Sequence, residues 1–315
     1  MTVFLDSFIF SLSVTAPIFI VLLMGIYLKR INFINDEFIN VSSKIVFNIA
    51  LPLLLFFTIV KSPLSEVTNL PMILYGLAAT LCVFVILEWW AKRLEPLADR
   101  GVFVQGAFRG NLGFIGLAYC VNAYGEAGLI AASLYIGFVT TLYNVLGIVT
   151  LNRAMGQGSN ILTISKSVIK NPLIIGILAA FLFSTLQIPI PEFAERAGGY
   201  FANLTLPLAL LCTGGSLNFQ ELKSNPRKTF YASFAKLVIV PFAITLGGYL
   251  FGFRGIDLGV LFLMSSAPTA TVSFIMVKGM GGNYKLAANI IAMTALGALI
   301  SVSVGILILR SFNLM

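Results

Sequence analysis

Gln105-Gly-Ala-Phe-Arg109-Gly110-Asn111-Leu-Gly113-Phe-Ile-Gly116-Leu117 lies inside an apolar run that otherwise reads as a membrane-spanning helix. Glycine in a helix interior costs roughly 1 kcal/mol relative to alanine. A charged side chain at the bilayer centre costs about 2.5–3.5 kcal/mol on insertion scales. A span that carries both penalties lines a polar, protein-enclosed cavity, because irregular backbone cannot face lipid. A second stretch, Met264-Ser265-Ser266-Ala-Pro268-Thr269-Ala-Thr271-Val-Ser273, has the same character. The two broken helices are expected to meet near the middle of the membrane and to hold a substrate between them.

Composition agrees. Of 315 residues 58% are hydrophobic and 10% charged, and the mean hydropathy is +0.97, where soluble domains carry about 25% charged residues. The net charge of +8 does not point to nucleic acid, because the basic residues cluster in short loops between apolar spans. The absence of histidine removes the commonest metal ligand and general base. Cys82, Cys120 and Cys212 fall inside apolar spans at unrelated spacings, which fits neither a disulfide framework nor a zinc site. No metal site and no catalytic constellation are legible, and an enzyme is not expected. The first apolar run lacks a cleavage site and is read as a retained span.

Measured against the about 20 residues that a crossing needs, ten spans are expected, at approximately 4–28, 38–60, 70–91, 101–123, 127–151, 169–187, 197–218, 229–251, 257–278 and 286–309. With the N-terminus outside, Lys29, Arg30, Lys92, Arg93, Arg100, Arg153, Lys166, Lys170, Lys223, Arg227, Lys228, Lys278 and Lys285 are cytoplasmic, against Lys61, Arg196, Arg254 and Arg310 outside. That asymmetry puts both termini outside the cytoplasm. Trp89 and Trp90, beside Lys92 and Arg93, read as an interfacial anchor.

The chain also repeats itself. Ala16-Pro17 answers to Asn171-Pro172, Asn48-Ile-Ala-Leu-Pro52 to Asn203-Leu-Thr-Leu-Pro207, and Pro71 to Pro226, each pair 155 residues apart. The same offset lays Gly113 on Pro268. Leu129-Ile-Ala-Ala-Ser echoes Lys285-Leu-Ala-Ala-Asn one residue further on. Halves with an odd number of spans lie inverted in the membrane, and inverted repeats with paired interrupted helices point to a secondary transporter with a midplane site. The reading is an all-α integral membrane protein of ten transmembrane helices: a first five-helix repeat (1–151), a cytoplasmic linker (152–168) and a second, inverted repeat (169–315), with helices 4 and 9 broken and crossing.

The run Phe108-Arg109-Gly110-Asn111-Leu-Gly113-Phe114-Ile115-Gly116-Leu117 resembles the Arg-x-Asn-x-Gly-Phe-x-Gly signature of the auxin efflux carrier family. Leu51-Pro52-Leu-Leu-Leu-Phe56, Leu206-Pro207-Leu, Thr213-Gly214-Gly215-Ser216-Leu217 and Ser266-Ala-Pro268-Thr also resemble its motifs, so the likeness covers essentially the whole chain. The long hydrophilic loop of the plant auxin exporters is missing, so the chain resembles a prokaryotic member. The resemblance implies two inverted five-helix repeats, a scaffold half and a transport half, an organic-anion substrate and often a homodimer. Ala118 stands where many relatives carry proline, which leaves the first crossover resting on Gly110, Gly113 and Gly116.

Two roles fit Arg109: a permanently charged partner for an anion, or a brace for the crossover. Lys236 is the candidate second cation, whereas Lys44 reads as snorkelling. With no acidic residue clearly mid-span, the field favours an anion. Asn111, Gly113, Ser265, Ser266, Pro268 and Thr269, with Thr271 and Ser273, are the other candidates for substrate binding, assisted by half-helix N-termini. Gly110, Gly116, Asn48, Pro52, Asn203 and Pro207 read as helix-break or structural positions. The expected activity is secondary transport of a small organic anion, a carboxylate or auxin-like molecule, in the inner (plasma) membrane. Sodium or a proton is the candidate coupling ion. A sodium-coupled symporter of the bile-acid type and a passive anion channel are the alternatives.

Overall fold

A computed structural model describes residues 2–62, 69–156, 169–217 and 225–315. Most of the expected linker, with Lys166, and also Lys223 lie outside the described residues. The fold is helical, and the one β pairing among the described residues is a single bridge. In chain order the helices are α1 (Thr2–Arg30), α2 (Asp36–Lys61), α3 (Leu70–Ala91), α4 (Leu97–Phe108), α5 (Leu112–Ala154), α6 (Pro172–Thr185), α7 (Glu192–Ser216), α8 (Pro226–Leu250), α9 (Gly255–Ser266), α10 (Val272–Gly279) and α11 (Tyr284–Ser311). Six of them (α1, α2, α3, α5, α8 and α11) are long and apolar enough to cross a membrane. Ile20, Ile86, Leu178 and Phe242 are exposed on outward faces, an apolar surface that suits lipid rather than water. The protein is a multi-pass membrane protein.

Asparagine sets several helix starts. The side chains of Asn35, Asn69, Asn171 and Asn283 accept the backbone N–H of Phe38, Met72, Leu173 and Leu286 at 2.8, 3.2, 3.0 and 3.1 Å, each satisfying one of the donors that a helix leaves free at its start. The prolines play three different parts. Pro71, Pro172 and Pro226 open α3, α6 and α8, where a missing N–H costs nothing. Pro17 and Pro207 sit inside α1 and α7. Pro52 and Pro241 each follow a π turn, Val46–Ala50 in α2 and Ala235–Ile239 in α8. Asn48 is exposed and donates to the Lys44 carbonyl at 2.8 Å, one turn before the carbonyl that Pro52 leaves free. Asn203 is exposed as well, and neither asparagine reaches the interior.

Gly125, at φ 60° and ψ −134°, breaks α5 into two arms. No other residue adopts that conformation readily, so the turn between the expected fourth and fifth spans is reduced to one glycine. The helices form two groups that share α1 as a border: α1, α2, α6 and α7 on one side and α3, α4, α5 and α8 to α11 on the other, with α1 also packed along α5 and α11. In the first group α1 and α7 approach closely: a Cβ on Gly25 would meet the Leu211 carbonyl, and one on Gly214 would meet the Leu22 carbonyl. In the second, the Tyr75 hydroxyl of α3 donates to the Ile244 carbonyl of α8 at 2.6 Å. Tyr75→Phe removes that bond at constant shape and will cost about 1 kcal/mol, a fall in Tm of roughly 2 °C read by a melting curve in detergent.

Candidate functional site

The helix α4 stops at Phe108 because Arg109 turns extended (φ −82°, ψ 96°), and α9 stops at Ser266 because Ala267 does the same (φ −56°, ψ 134°). The two extended segments then pair. Gly110 and Thr269 form an antiparallel bridge, Asn111 N donates to the Pro268 carbonyl at 2.8 Å, and Ala270 N donates to the Arg109 carbonyl at 3.1 Å. Backbone groups released by breaking both helices are thus satisfied by each other, as an apolar surround requires. The Thr269 hydroxyl donates to the Gly106 carbonyl at 2.6 Å, and its N–H to Thr294 Oγ1 at 3.1 Å. A Cβ on Gly110 would come within 3.1 Å of Lys236 Nζ and 3.3 Å of the Ala267 carbonyl, so a side chain there would crowd the crossing.

The sequence placed the first crossover on Gly110, Gly113 and Gly116; of these only Gly110 lies in the opening, at Arg109–Asn111. Gly113 and Gly116 lie in the π turn Leu112–Gly116 with which α5 starts. They are close-approach positions: added Cβ atoms would come within 2.8 Å of Leu51 Cδ2 and 2.9 Å of Met264 Sδ.

Beside the crossing is a cavity of about 50 Å³. Its walls come from both helix groups. Phe47 and Leu51 of α2 and Leu173 of α6 face residues 109–114, Thr140 and Tyr143 of α5, and residues 270–272. The first residues of α5 and of α10 are therefore wall residues, and these are the positions whose backbone N–H groups have no partner within their own helix. Both helix N-termini add positive potential.

Arg109 is 4% exposed and borders this cavity, with its guanidinium held against residues that do not line it. Its Nη2 donates to Asn144 Oδ1 at 2.5 Å and its Nη1 to Met276 Sδ at 2.8 Å. Lys236 is fully buried, and its Nζ donates to the Ser265 carbonyl at 2.6 Å. Among the described residues neither cation makes an ion pair. The Asn111 amide nitrogen and the Thr140 hydroxyl are buried without a hydrogen-bond partner, and both residues line the cavity. An amide N–H₂, a hydroxyl and two helix N-termini make a donor-rich, positively polarised niche, with the Arg109 guanidinium bound to Asn144 and Met276 beside it.

Of the residues anticipated from sequence, Arg109, Gly110, Asn111 and Gly113 border the cavity, and so does Thr271. Ser265, Ser266, Pro268, Thr269 and Lys236 build the crossing behind it. Lys236 was read as a second cation for the substrate; its ammonium closes the carbonyl end of α9, where a positive group is favoured. Sequence reasoning missed Thr140, Tyr143, Asn144 and Met276. Thr140, Tyr143, Asn144 and Gly147 follow one another at helical spacing along one face of α5, the signal by which they could have been found.

A profile for membrane transport proteins matches residues 10–306. The chain belongs to that family, the auxin-efflux-carrier-like transporters. Among its relatives, an uncharacterized transporter of Methanothermobacter thermautotrophicus is 25% identical over 297 residues, covering 93% of this chain and 97% of that one. A putative malonate transporter of Rhizobium meliloti is 26% identical over 309 residues, 94% of each chain. The uncharacterized transporter YfdV of Escherichia coli K12 is 22% identical, over 93% of this chain and 96% of its own. The family is one of membrane transporters, not enzymes.

Proposed function

We propose that this family member is a secondary carrier for a small carboxylate, held between the two helix groups at the crossing. The observation that carries the reading is the cavity shared by both groups at the first break, bordered by Arg109, whose buried guanidinium has no carboxylate partner among the described residues. A buried, uncompensated cation is costly, and a transported anion offsets that cost. Asn111 and Thr140 take the remaining carboxylate lone pairs, and the N-termini of α5 and α10 add their dipoles. At about 50 Å³ the cavity admits water but falls below the about 300–1,000 Å³ of ligand pockets. The present arrangement is a closed one. Substrate enters when the α1–α2–α6–α7 group, the scaffold, and the remaining helices part on one side, which is alternating access.

The helices at 97–124 and 255–279 act here as interrupted fourth and ninth spans of ten, in two inverted repeats, with both termini outside the inner membrane. The proline spacing and the basic-residue asymmetry support that plan. The relative named as a putative malonate transporter makes malonate the first probe. Assembly as a homodimer belongs to the same proposal.

The test is malonate uptake into proteoliposomes preloaded with the same anion. Saturable counterflow is the expected result. No movement of any mono- or dicarboxylate under sodium, proton or voltage gradients would overturn the reading. Uptake without counterflow would make the protein a pore, and a strict sodium requirement would favour a symporter of the bile-acid type.

A further inference from the structure

Behind Arg109, away from the crossing, two buried donors converge on a poor acceptor. Arg109 Nη1 lies 2.8 Å and Gln105 Nε2 3.4 Å from the same Met276 sulfur. Gln105 is fully buried, and its carbonyl oxygen has no partner. A thioether is a weak acceptor, whereas a guanidinium N–H bonds best to an anionic oxygen. Opposite the sulfur stands Gly147: a Cβ there would come within 3.0 Å of Gln105 Nε2, 3.1 Å of Arg109 Nη1 and 3.4 Å of the Met276 methyl. The missing side chain is what keeps the two donors open. Met276 is only partly buried, and it sits on the short helix α10 that follows the second break. Methionine is unbranched and readily changes rotamer.

We propose that Met276 plugs an anion subsite formed by Arg109 Nη1 and Gln105 Nε2 over Gly147, and that a carboxylate displaces its sulfur. The inference rests on the carrier reading for its ligand: this is a second station for the transported carboxylate, next to the cavity at the crossing. The sulfur keeps those donors covered when no anion is there.

The first measurement needs no ligand. Met276→Glu tethers a carboxylate in the subsite, and Met276→Gln is its neutral counterpart of the same size. The Glu variant will melt at least about 3 °C above the Gln variant; a Glu variant that melts at or below the Gln variant overturns the subsite. The second uses Met276→Leu, which keeps the volume and removes the sulfur, and Gly147→Ala, which fills the space. With malonate as probe in a thermal-shift titration, Met276→Leu will bind about threefold or more tightly than wild type, having lost the internal competitor, and Gly147→Ala about tenfold more weakly. Wild-type affinity in both variants overturns the subsite while leaving the carrier reading intact. Should no carboxylate bind wild type, the carrier reading fails, and the Glu–Gln comparison still decides whether the subsite takes an anion.

Discussion

Arg109→Gln will raise the Kd for the transported anion roughly 30- to 1,000-fold. The guanidinium is buried, and truncating one partner of a buried charged contact costs about 2–4 kcal/mol, at about 1.4 kcal/mol per tenfold. Glutamine removes the charge and, two bonds shorter, also gives up the contact with Asn144 Oδ1, so the melting temperature has to be read beside the affinity. Arg109→Lys keeps the charge but offers a single ammonium in place of the fork that reaches Asn144 and Met276 together; it will sit between wild type and Gln. KM for uptake into proteoliposomes, read beside the melting temperature, separates the two roles that the sequence leaves open. A large rise in KM with an unchanged Tm makes Arg109 a substrate ligand. A fall in Tm with KM within threefold of wild type makes it a brace.

The break itself was legible because breaking a membrane helix requires residues that a straight helix avoids. Gly110, Asn111 and Arg109 on one side and Pro268 on the other stand out against an apolar background, and these segments do cross. The exact opening was not legible. Gly113 and Gly116 carry the same local signal as Gly110, but they serve helix approach to Leu51 and Met264 rather than the turn, and only packing distinguishes those uses. The prolines show the same limit. Pro52 follows a π turn, whereas Pro207, 155 residues on, sits inside an α-helix that continues through it. Lys236 was visible as a buried cation, but which group it meets depends on α8 lying against the end of α9. The helix face carrying Thr140, Tyr143, Asn144 and Gly147 escaped notice because isolated polar residues on a long apolar helix usually serve ordinary interhelical bonding. The fourth span was expected to begin at about residue 101; the helix begins at Leu97, after Pro96, which brings Asp99 into its first turn, where it is buried.

That displacement has the largest consequence for stability. Asp99 of α4 pairs with Lys228 of α8 and accepts from Asn283 Nδ2 at 2.9 Å, while Asn283 in turn caps α11. One carboxylate thus ties three helices of the second group together beside the approach to the crossing. The Asp99 side chain is 4% exposed and that of Lys228 20%. Removing one member of a buried pair leaves the other uncompensated and costs about 3–5 kcal/mol. Asp99→Ala will therefore lower the Tm by roughly 6–10 °C at about 2 °C per kcal/mol. Lys228→Met will do somewhat less, because Asn283 and the N-terminal dipole of α4 still favour the carboxylate. The double variant, which leaves no orphaned charge, will melt above Asp99→Ala alone. A double variant whose loss equals the sum of the two singles would show that the ion pair does not couple these helices, and that α4, α8 and α11 are held by apolar packing instead.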